Sequence, residues 1–444
     1  MNINKIEHFK ISINNETLRG FIFKVTLFLF LYSPFIRLGS KVLHLPYINI
    51  LLLSCLFFII LIYKGVNKSY FKFILVLGVS YLYVLLVSLI FMQFDRDIFM
   101  VFATGIFMLM SSYSVAYLCI LLRSNDKISF YIKSVYKVTI YHAIIMILVF
   151  FIIPIRDLLY SFVILGENGE LFLRTMTRSP GLTTGGGDAL SIIQAIGLCF
   201  GIYYFFEIER NKTFYSFIKY FVGFITLIIS ILLSARSGLV ILMIFIIIFS
   251  FKRLIFFLGK KSINKRIAFR ASIISLILAG VLGVSYSIFI DSEYNRFAKR
   301  AFELFVNYSE RGEIRTSSTD DLISMYFLPK STFHLIFGDA NFGRSPGLAG
   351  INSDVGYIRV IFGVGLLGLL FFFAPLFYPV FSLKNHSFFN NHGYFLLVFI
   401  LIAILIVNFK VFHFFQFRES FKVFSILFAL LCLNKKNKHE IFIS

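Results

Sequence analysis

Apolar segments long enough to cross a lipid bilayer recur along the whole chain, and they constrain the fold more than any other feature. A helix needs about 20 apolar residues to span about 30 Å of hydrocarbon. The 444-residue chain is 59% hydrophobic, with a mean hydropathy of +0.86, far above a soluble globular protein. Backbone exposed to lipid must satisfy its own hydrogen bonds, so these segments are expected to be helices.

About twelve segments qualify by apolar content. The sequence therefore predicts an all-α polytopic membrane protein with about 12 transmembrane helices, forming one integral membrane domain over 1–444. The predicted segments are 21–36, 47–63, 71–92, 98–122, 136–154, 189–206, 214–233, 238–251, 271–290, 356–381, 393–412 and 420–433.

The placement of the basic residues predicts how the chain is oriented. Lys and Arg outnumber Asp and Glu by 43 to 22, for a net charge of +21, and they cluster in connections such as 64–72, 123–137 and 252–270. Alternate connections hold few, so the positive-inside rule places both termini in the cytoplasm, and no nucleic-acid partner is indicated. The polar residues at the start of the chain predict that the first helix is an uncleaved anchor. The four cysteines fall inside apolar segments and indicate neither a disulfide nor a metal site.

Two large loops and one short turn fall on the predicted outer side, at 155–188, 291–355 and 234–238. The five residues Arg-Ser-Pro-Gly-Leu occur twice, at 178–182 in the first loop and at 344–348 in the second. Such a repeat is not expected by chance in a chain so rich in Phe and Ile. We interpret the two loops as halves of one external site, with an amphipathic helix over 295–310 as a lid, a brace or an ordinary soluble helix.

Arginines and glycines on this side indicate anion binding. Arg236 is either an interfacial anchor or a bidentate phosphate ligand, for which its planar fork is better suited than Lys. Gly185 and Gly186 precede a helix and would let backbone N–H groups approach an anion, although a merely flexible start to the helix is the alternative. Several arginines at an outer membrane face would suit a diphosphate at the headgroup level. The arginines that could join Arg236 are Arg178, Arg315, Arg344 and Arg359.

Two carboxylates are candidates for acid–base work. Asp354 is the first candidate for a general base and Asp188 the second. Asp354 could also cap the helix that begins after Val355, and the two roles are compatible. The Asp-Arg-Asp triplet at 95–97 resembles the Asp-x-Asp of metal-using glycosyltransferases, but no cluster of further ligands accompanies it in the sequence, and no metal site or cofactor is predicted.

Three stretches resemble the Wzy-type O-antigen polymerases, in a superfamily that includes the O-antigen ligases. They are the Ser-Ala-Arg-Ser-Gly turn at 234–238, the Gly-flanked step at 338–343, and the run from Asp354 through Tyr357 to Gly368. The resemblance implies a GT-C-like enzyme of the bacterial inner membrane. It would move a growing glycan from undecaprenyl diphosphate onto an incoming lipid-linked repeat unit, with inversion and without a metal.

The same resemblance implies roles and partners. Asp354, Arg236 and Asp188 would be catalytic, and Tyr357 would join the arginines and glycines in binding diphosphate and glycan. The implied partners are the undecaprenyl-diphosphate-linked oligosaccharide, membrane lipid and a chain-length regulator. Two alternatives stay open. Ligases carry His-Asn where this chain has Ser353 and Asp354, and a flippase would carry its charges along a central cavity rather than at one face.

Overall fold

The computed structural model describes residues 16–93, 96–122, 126–209, 213–258, 295–312, 316–343, 351, 353–384, 388, 391–412, 419–434 and 441–442. A helix occupies each predicted apolar segment within these residues, and the segment 271–290 lies outside them. The first helices are α1 Glu16–Tyr32, α2 Leu45–Lys64, α3 Lys68–Ile90, α4 Arg96–Leu122, α5 Lys127–Phe151, α6 Ile153–Phe162, α7 Glu167–Arg174 and α8 Asp188–Tyr203. They are followed by α9 Phe214–Ser234, α10 Ser237–Leu258, α11 Asn295–Arg311, α12 Ser317–Ser324, α13 Thr332–Phe337, α14 Gly356–Ser382, α15 His392–Val407 and α16 Glu419–Asn434.

Within the described residues, seven helices are long and apolar enough to cross a membrane. Their outward faces are apolar as well: on α2, Leu51, Leu52 and Ile62 are all more than half exposed. A soluble protein would not leave such a surface in water, whereas lipid solvates it. The expectation of an all-α, multi-pass membrane protein is confirmed at this level. The seven are Leu45–Lys64, Lys68–Ile90, Ile98–Leu122, Lys127–Phe151, Asp188–Ile208, Phe214–Ser234 and Gly356–Ser382.

The core of the bundle lies around α16 and α8. Nearly every residue of α16 from Ser420 to Cys432 is buried, and this helix packs against α4, α5, α8 and α15. In α8 even Gln194 is fully buried, and Gly197 and Gly201 let the side chains of α5 approach the backbone. Small residues at such crossings permit close packing where the hydrophobic effect gives no preference for helix over lipid.

Two predicted connections prove to be partly helical. The helix α5 begins at Lys127, nine residues before the predicted start at 136, because the side chain of Asp126 accepts a bond from Ser129 N–H and caps it. Likewise α10 continues past Lys252, whose ammonium donates to the hydroxyl of Tyr203 at 2.8 Å. A hydropathy pattern counts a lysine as a break, whereas a lysine with a polar partner continues the helix.

The predicted outer loops also contain regular structure. α6 and α7 lie in the first loop, and α11, α12 and α13 lie in the second. A hairpin of β1 Phe35–Leu38 and β2 Lys41–His44 pairs with β4 Val163–Ile164 in a three-stranded sheet of order β2-β1-β4. A second small sheet pairs β3 Val66–Asn67 with β5 Ile441–Phe442.

A glycine breaks α14 and joins it to the loop that precedes it. Gly365 has φ +69° and ψ −177°, a conformation that is essentially restricted to glycine. The break frees carbonyls of the helix, and those of Phe362 and Gly363 accept bonds from the N–H groups of Asp339 and Ala340, at 2.8 and 2.9 Å. The Gly-flanked step at 338–343 therefore satisfies the backbone carbonyls that the break leaves without partners in the helix.

Candidate active site

The first Arg-Ser-Pro-Gly-Leu segment is fixed to the bundle residue by residue. Ser179 donates from its backbone to Leu233 and from its hydroxyl to Met146, both at 2.9 Å. Gly181 has φ +57°, and a side chain there would collide with the ring of His142. These contacts account for the residue types of the first copy. The second copy, at 344–348, lies outside the described residues.

His142 holds this segment in place from the middle of α5. Its Nε2 accepts from Leu182 N–H at 3.2 Å, so the proton of the neutral ring sits on Nδ1. The side-chain amide nitrogen of the buried Gln194 lies 2.9 Å from Nδ1, and its Oε1 has no hydrogen-bond partner. Because Nδ1 carries the proton, we exchange the amide oxygen and nitrogen, so that Oε1 accepts from Nδ1–H. Tyr32 stacks on the other side of the ring, with centroids 4.1 Å apart.

A cavity of about 680 Å³ opens beside this segment. Its lining combines apolar residues of the membrane helices, including Phe30, Tyr32 and Ile50, with polar residues. The polar part includes Asn168, Arg178, Thr183, Thr184, Gly185, Gly186, Gly187, Asp188, Glu419 and Lys422. The two parts meet where the ammonium of Lys422 donates to the carbonyl of Phe30. A molecule with a charged head and an apolar tail would match such a mixed lining.

Arg178 is a buried cation in the polar part of the cavity lining. Its guanidinium stacks on Phe172 at 4.5 Å, and its Nε is buried without a hydrogen-bond partner. Burial lowers the pKa of this guanidinium; the charge of Asp188 opposes that effect and the charge of Arg236 adds to it. An arginine nevertheless stays protonated at neutral pH. A buried donor without an acceptor is costly, and an anionic ligand in the cavity would supply the acceptor.

The glycines before α8 let this arginine approach the backbone. Gly186 and Gly187 have φ of +63° and +85°. A Cβ on Gly187 would lie 3.0 Å from a terminal nitrogen of Arg178, whereas a Cβ on Gly185 would meet nothing within 4 Å. The absence of a side chain at Gly187 therefore lets the guanidinium of Arg178 approach the backbone, whereas Gly185 lies beside open space in the cavity.

Asp188, the first residue of α8, is one of two acidic residues that line the cavity, with Glu419 the other. It accepts from the hydroxyl of Ser237 at 2.6 Å and from the ammonium of Lys410 at 3.1 Å. Arg178, Asp188, Lys410 and Arg236 form what we refer to as the charged cluster. In it Asp188 is held between cations, so it positions charge more readily than it accepts a proton.

Arg236 stands in the turn between α9 and α10, and its NH1 donates to Glu303 of α11 at 2.8 Å. Arg300 of the same helix donates to the carbonyl of Thr177 at 3.3 Å. The helix α11 thus braces the turn and the loop together, one of the roles the sequence suggested for it. Arg236 does not line the cavity; it lies behind Arg178, within range of its charge.

Asp354 and Arg359 form a separate pair, 3.4 Å apart, in which Asp354 is 72% exposed. The expectation that Asp354 caps α14 is wrong, because the N-cap is Val355 and the Asp354 carboxylate turns to Arg359. Neither residue lines the cavity; the backbone carbonyl of Asp354 accepts from Phe412 N–H at 3.0 Å, next to cavity-lining Val411. Tyr357 donates to the carbonyl of Leu405 at 2.9 Å and is part of the helix packing.

Some predicted site residues cannot be placed, and some site residues were missed. Arg315, Arg344 and Asp95 lie outside the described residues, and the side chain of Asp97 is not described. The missed residues are Lys410, Glu303, His142, Gln194 and Lys422. Only Lys410 gave a signal, as a cation in a short outer connection. Within the described residues, no three His, Cys, Asp or Glu side chains lie close enough to hold a metal ion.

No family model matches the sequence, and a search of the curated proteins found no match.

Proposed function

We propose that this protein is a membrane glycosyltransferase that polymerises lipid-linked oligosaccharide repeat units on the outer face of the bacterial inner membrane. The observation that carries the proposal is the buried, unpartnered Nε of Arg178 on the wall of a cavity that apolar and polar residues line together. A polyprenyl diphosphate has the matching chemistry, an anion at the headgroup level and a hydrocarbon tail. The resemblance of three stretches to Wzy-type polymerases supplies the sugar substrate.

In the proposed reaction, the diphosphate of the donor binds against Arg178 and the backbone N–H groups at 185–187. A hydroxyl of the incoming unit attacks the anomeric carbon from the opposite face, so a new C–O bond forms with inversion. The bond to the diphosphate oxygen breaks, and the leaving group takes its electron pair. Arg178 stabilises the charge that develops there, with Lys410 and Asp188 setting the local field.

The acceptor's proton passes to a carboxylate in this scheme. Asp354 suits that role better than Asp188, because its carboxylate is open and has one cation beside it. Asp188 instead holds Lys410 and Ser237. Arg236 serves by anchoring α11 through Glu303, or by turning to the substrate once that ion pair opens.

The experiment is deletion of the gene in its host, followed by gel electrophoresis of the surface polysaccharide. Lipid A–core capped with single repeat units is the expected result for a polymerase. An uncapped core with polymer accumulated on the carrier would indicate a ligase instead. An uncapped core with intermediates left on the cytoplasmic face would indicate a flippase.

A further inference from the structure

Four lysines from three helices come together near the end of the bundle opposite the cavity. Lys24 belongs to α1, Lys133 and Lys137 to α5, and Lys219 to α9. Packing places these positions at one level of the bundle, because Gly20 of α1 faces the ring of Phe130, and Tyr136 of α5 donates to the carbonyl of Tyr220 in α9 at 3.2 Å. Lys137 is therefore close enough for the charges of the other three to act on it. We refer to the four as the lysine cluster. From Lys219 to the end of α9 at Ser234, beside the charged cluster, the helix rises roughly 22 Å.

The lysine cluster has little negative charge to balance it. Lys133 lies 3.8 Å from Glu209 and donates to the hydroxyl of Tyr204 at 3.3 Å. Lys24, Lys137 and Lys219 pair with no acidic side chain in the part of the chain that the structure describes. Like charges that share a partly desolvated surface repel one another, so an anion placed among them would be attracted by all four.

An apolar track continues from the lysines along the same face of α5. Lys133, Lys137, Tyr141, Ile144 and Leu148 follow one another at spacings of four and three, which places them on one side of a helix. Tyr141, Ile144 and Leu148 are 48%, 42% and 36% exposed. From Lys137 to Leu148 the track runs roughly 16 Å along α5, away from the lysines. A surface with cations at one end and exposed apolar side chains along the rest is complementary to a phospholipid, which has an anionic headgroup and an acyl chain.

We propose that the lysine cluster binds the headgroup phosphate of an anionic phospholipid, and that an acyl chain lies along the Tyr141–Leu148 track of α5. The lipid belongs to the leaflet opposite the cavity, which is the cytoplasmic leaflet in the predicted orientation. Lysines that merely extended into the headgroup layer would not need to converge from three helices. This inference stands independently of the proposed function.

Native mass spectrometry of the purified protein tests the proposal, with phosphatidylglycerol and phosphatidylcholine of identical acyl chains as probes. We expect phosphatidylglycerol to bind more tightly by at least about 25-fold, since each lysine near an anionic headgroup contributes about fivefold. The Lys24→Gln/Lys137→Gln double variant should lose about 25-fold in affinity for phosphatidylglycerol and little for phosphatidylcholine. Lys219→Gln, at an exposed position that folding tolerates, should lose about fivefold.

The matched control is Lys72→Gln, an exposed lysine near the start of α3 that is not in the cluster. It should bind phosphatidylglycerol as the wild type does. Equal binding of the two lipids would overturn the proposal, as would an equal loss in Lys72→Gln. Inorganic phosphate that displaced phosphatidylglycerol at comparable concentration would show a simple anion site and overturn the lipid assignment.

Discussion

At the scale of single residues, Arg178 and Arg236 differ in what they are bonded to. Arg236 is already in an ion pair with Glu303 at 2.8 Å, and a ligand would have to replace that bond. Arg178 has a buried Nε without a partner and lies on the cavity wall. The sequence favoured Arg236 because it stands in a short turn. The geometry favours Arg178 as the first phosphate ligand.

Arg178→Ala should lower the polymerisation rate by about 10²–10³, the usual effect of removing one preorganised donor. Arg178→Lys should restore little, because a point charge cannot replace the fork of a guanidinium. The measurement is polymerisation of lipid-linked repeat units by purified protein, normalised to protein amount. Arg174→Ala, an exposed arginine on α7, is the control and should keep wild-type activity. Activity of the Arg178→Lys variant within a few-fold of wild type would reduce Arg178 to a packing residue.

Substitution with Asn distinguishes the proposed role of Asp354 as a general base from the structural role of Asp188. Asp354 does not cap α14, so Asp354→Asn should leave thermal stability unchanged while lowering the rate by about 10²–10⁴, as loss of a general base does. Asp188→Asn removes the ionic partner of Lys410, so it should lower the melting temperature and retain more activity per folded molecule. Both variants are compared by thermal unfolding and by the same polymerisation assay. Near-normal turnover in Asp354→Asn would show that Asp354 is not the group that accepts the acceptor's proton.

Part of the candidate site could be predicted from the sequence, because some of its residues are close together in the chain. Arg178 and Asp188 lie ten residues apart in one loop that ends at a helix start, so their proximity follows from chain connectivity. Glu303 and Lys410 are far from their partners in sequence, and nothing local marks them. His142 lies within an apolar run, where a histidine reads as packing, and only the folded contact with Leu182 gives it a role.

At the scale of elements, apolar length predicted where the helices lie but less well where they begin. The start of α5 was missed because Lys133 and Lys137 were read as part of a connection, yet Lys133 has Tyr204 and Glu209 beside it. The break in α14 gives no signal in the hydropathy pattern, because it lies inside an apolar segment. Gly365 turns the backbone there, and Gly363 receives the ring of Phe342.

Gly365→Ala should destabilise the protein by about 2–5 kcal/mol, the sum of a backbone conformation reserved for glycine and of overpacking. A Cβ there would lie 2.2 Å from the carbonyl oxygen of Ile336, which is backbone and cannot move aside. The control is Gly78→Ala in α3, where a Cβ would meet nothing within 4 Å and where alanine favours the helix by up to about 1 kcal/mol. Thermal unfolding in detergent measures both. Equal melting temperatures for the two variants would mean that α14 is continuous.

At the scale of the whole molecule, the two ends of the bundle carry different chemistry. One end holds the cavity, the charged cluster and the brace of α11, to which loops and helix ends contribute the charged residues. The other holds the lysine cluster on helix faces that continue into an apolar track. The division follows from the directions of the helices, because α8 and α10 both start at the end that holds the cavity, where Ser237 and Gly238 bond to Asp188 and Ser191.

This division makes the orientation of the chain testable with alkaline phosphatase fusions, which are active only outside the cytoplasm. Fusions after Arg236 and Tyr326 should be active, and a fusion after Gly65, between α2 and α3, should be silent. The basic connections and the lysine cluster would then face the cytoplasm. Activity after Tyr326 also requires that the predicted segment 271–290 crosses the membrane.

A fusion to β-galactosidase at the same three positions is the control, since that enzyme is active only in the cytoplasm and should give the complementary pattern. An active phosphatase after Gly65 together with a silent one after Arg236 would invert the molecule. The cavity would then open to the cytoplasm, out of reach of repeat units that have already been carried across. In that case the polymerase proposal fails, while the anionic lipid site survives with its leaflet exchanged, because its evidence lies in the helix faces alone.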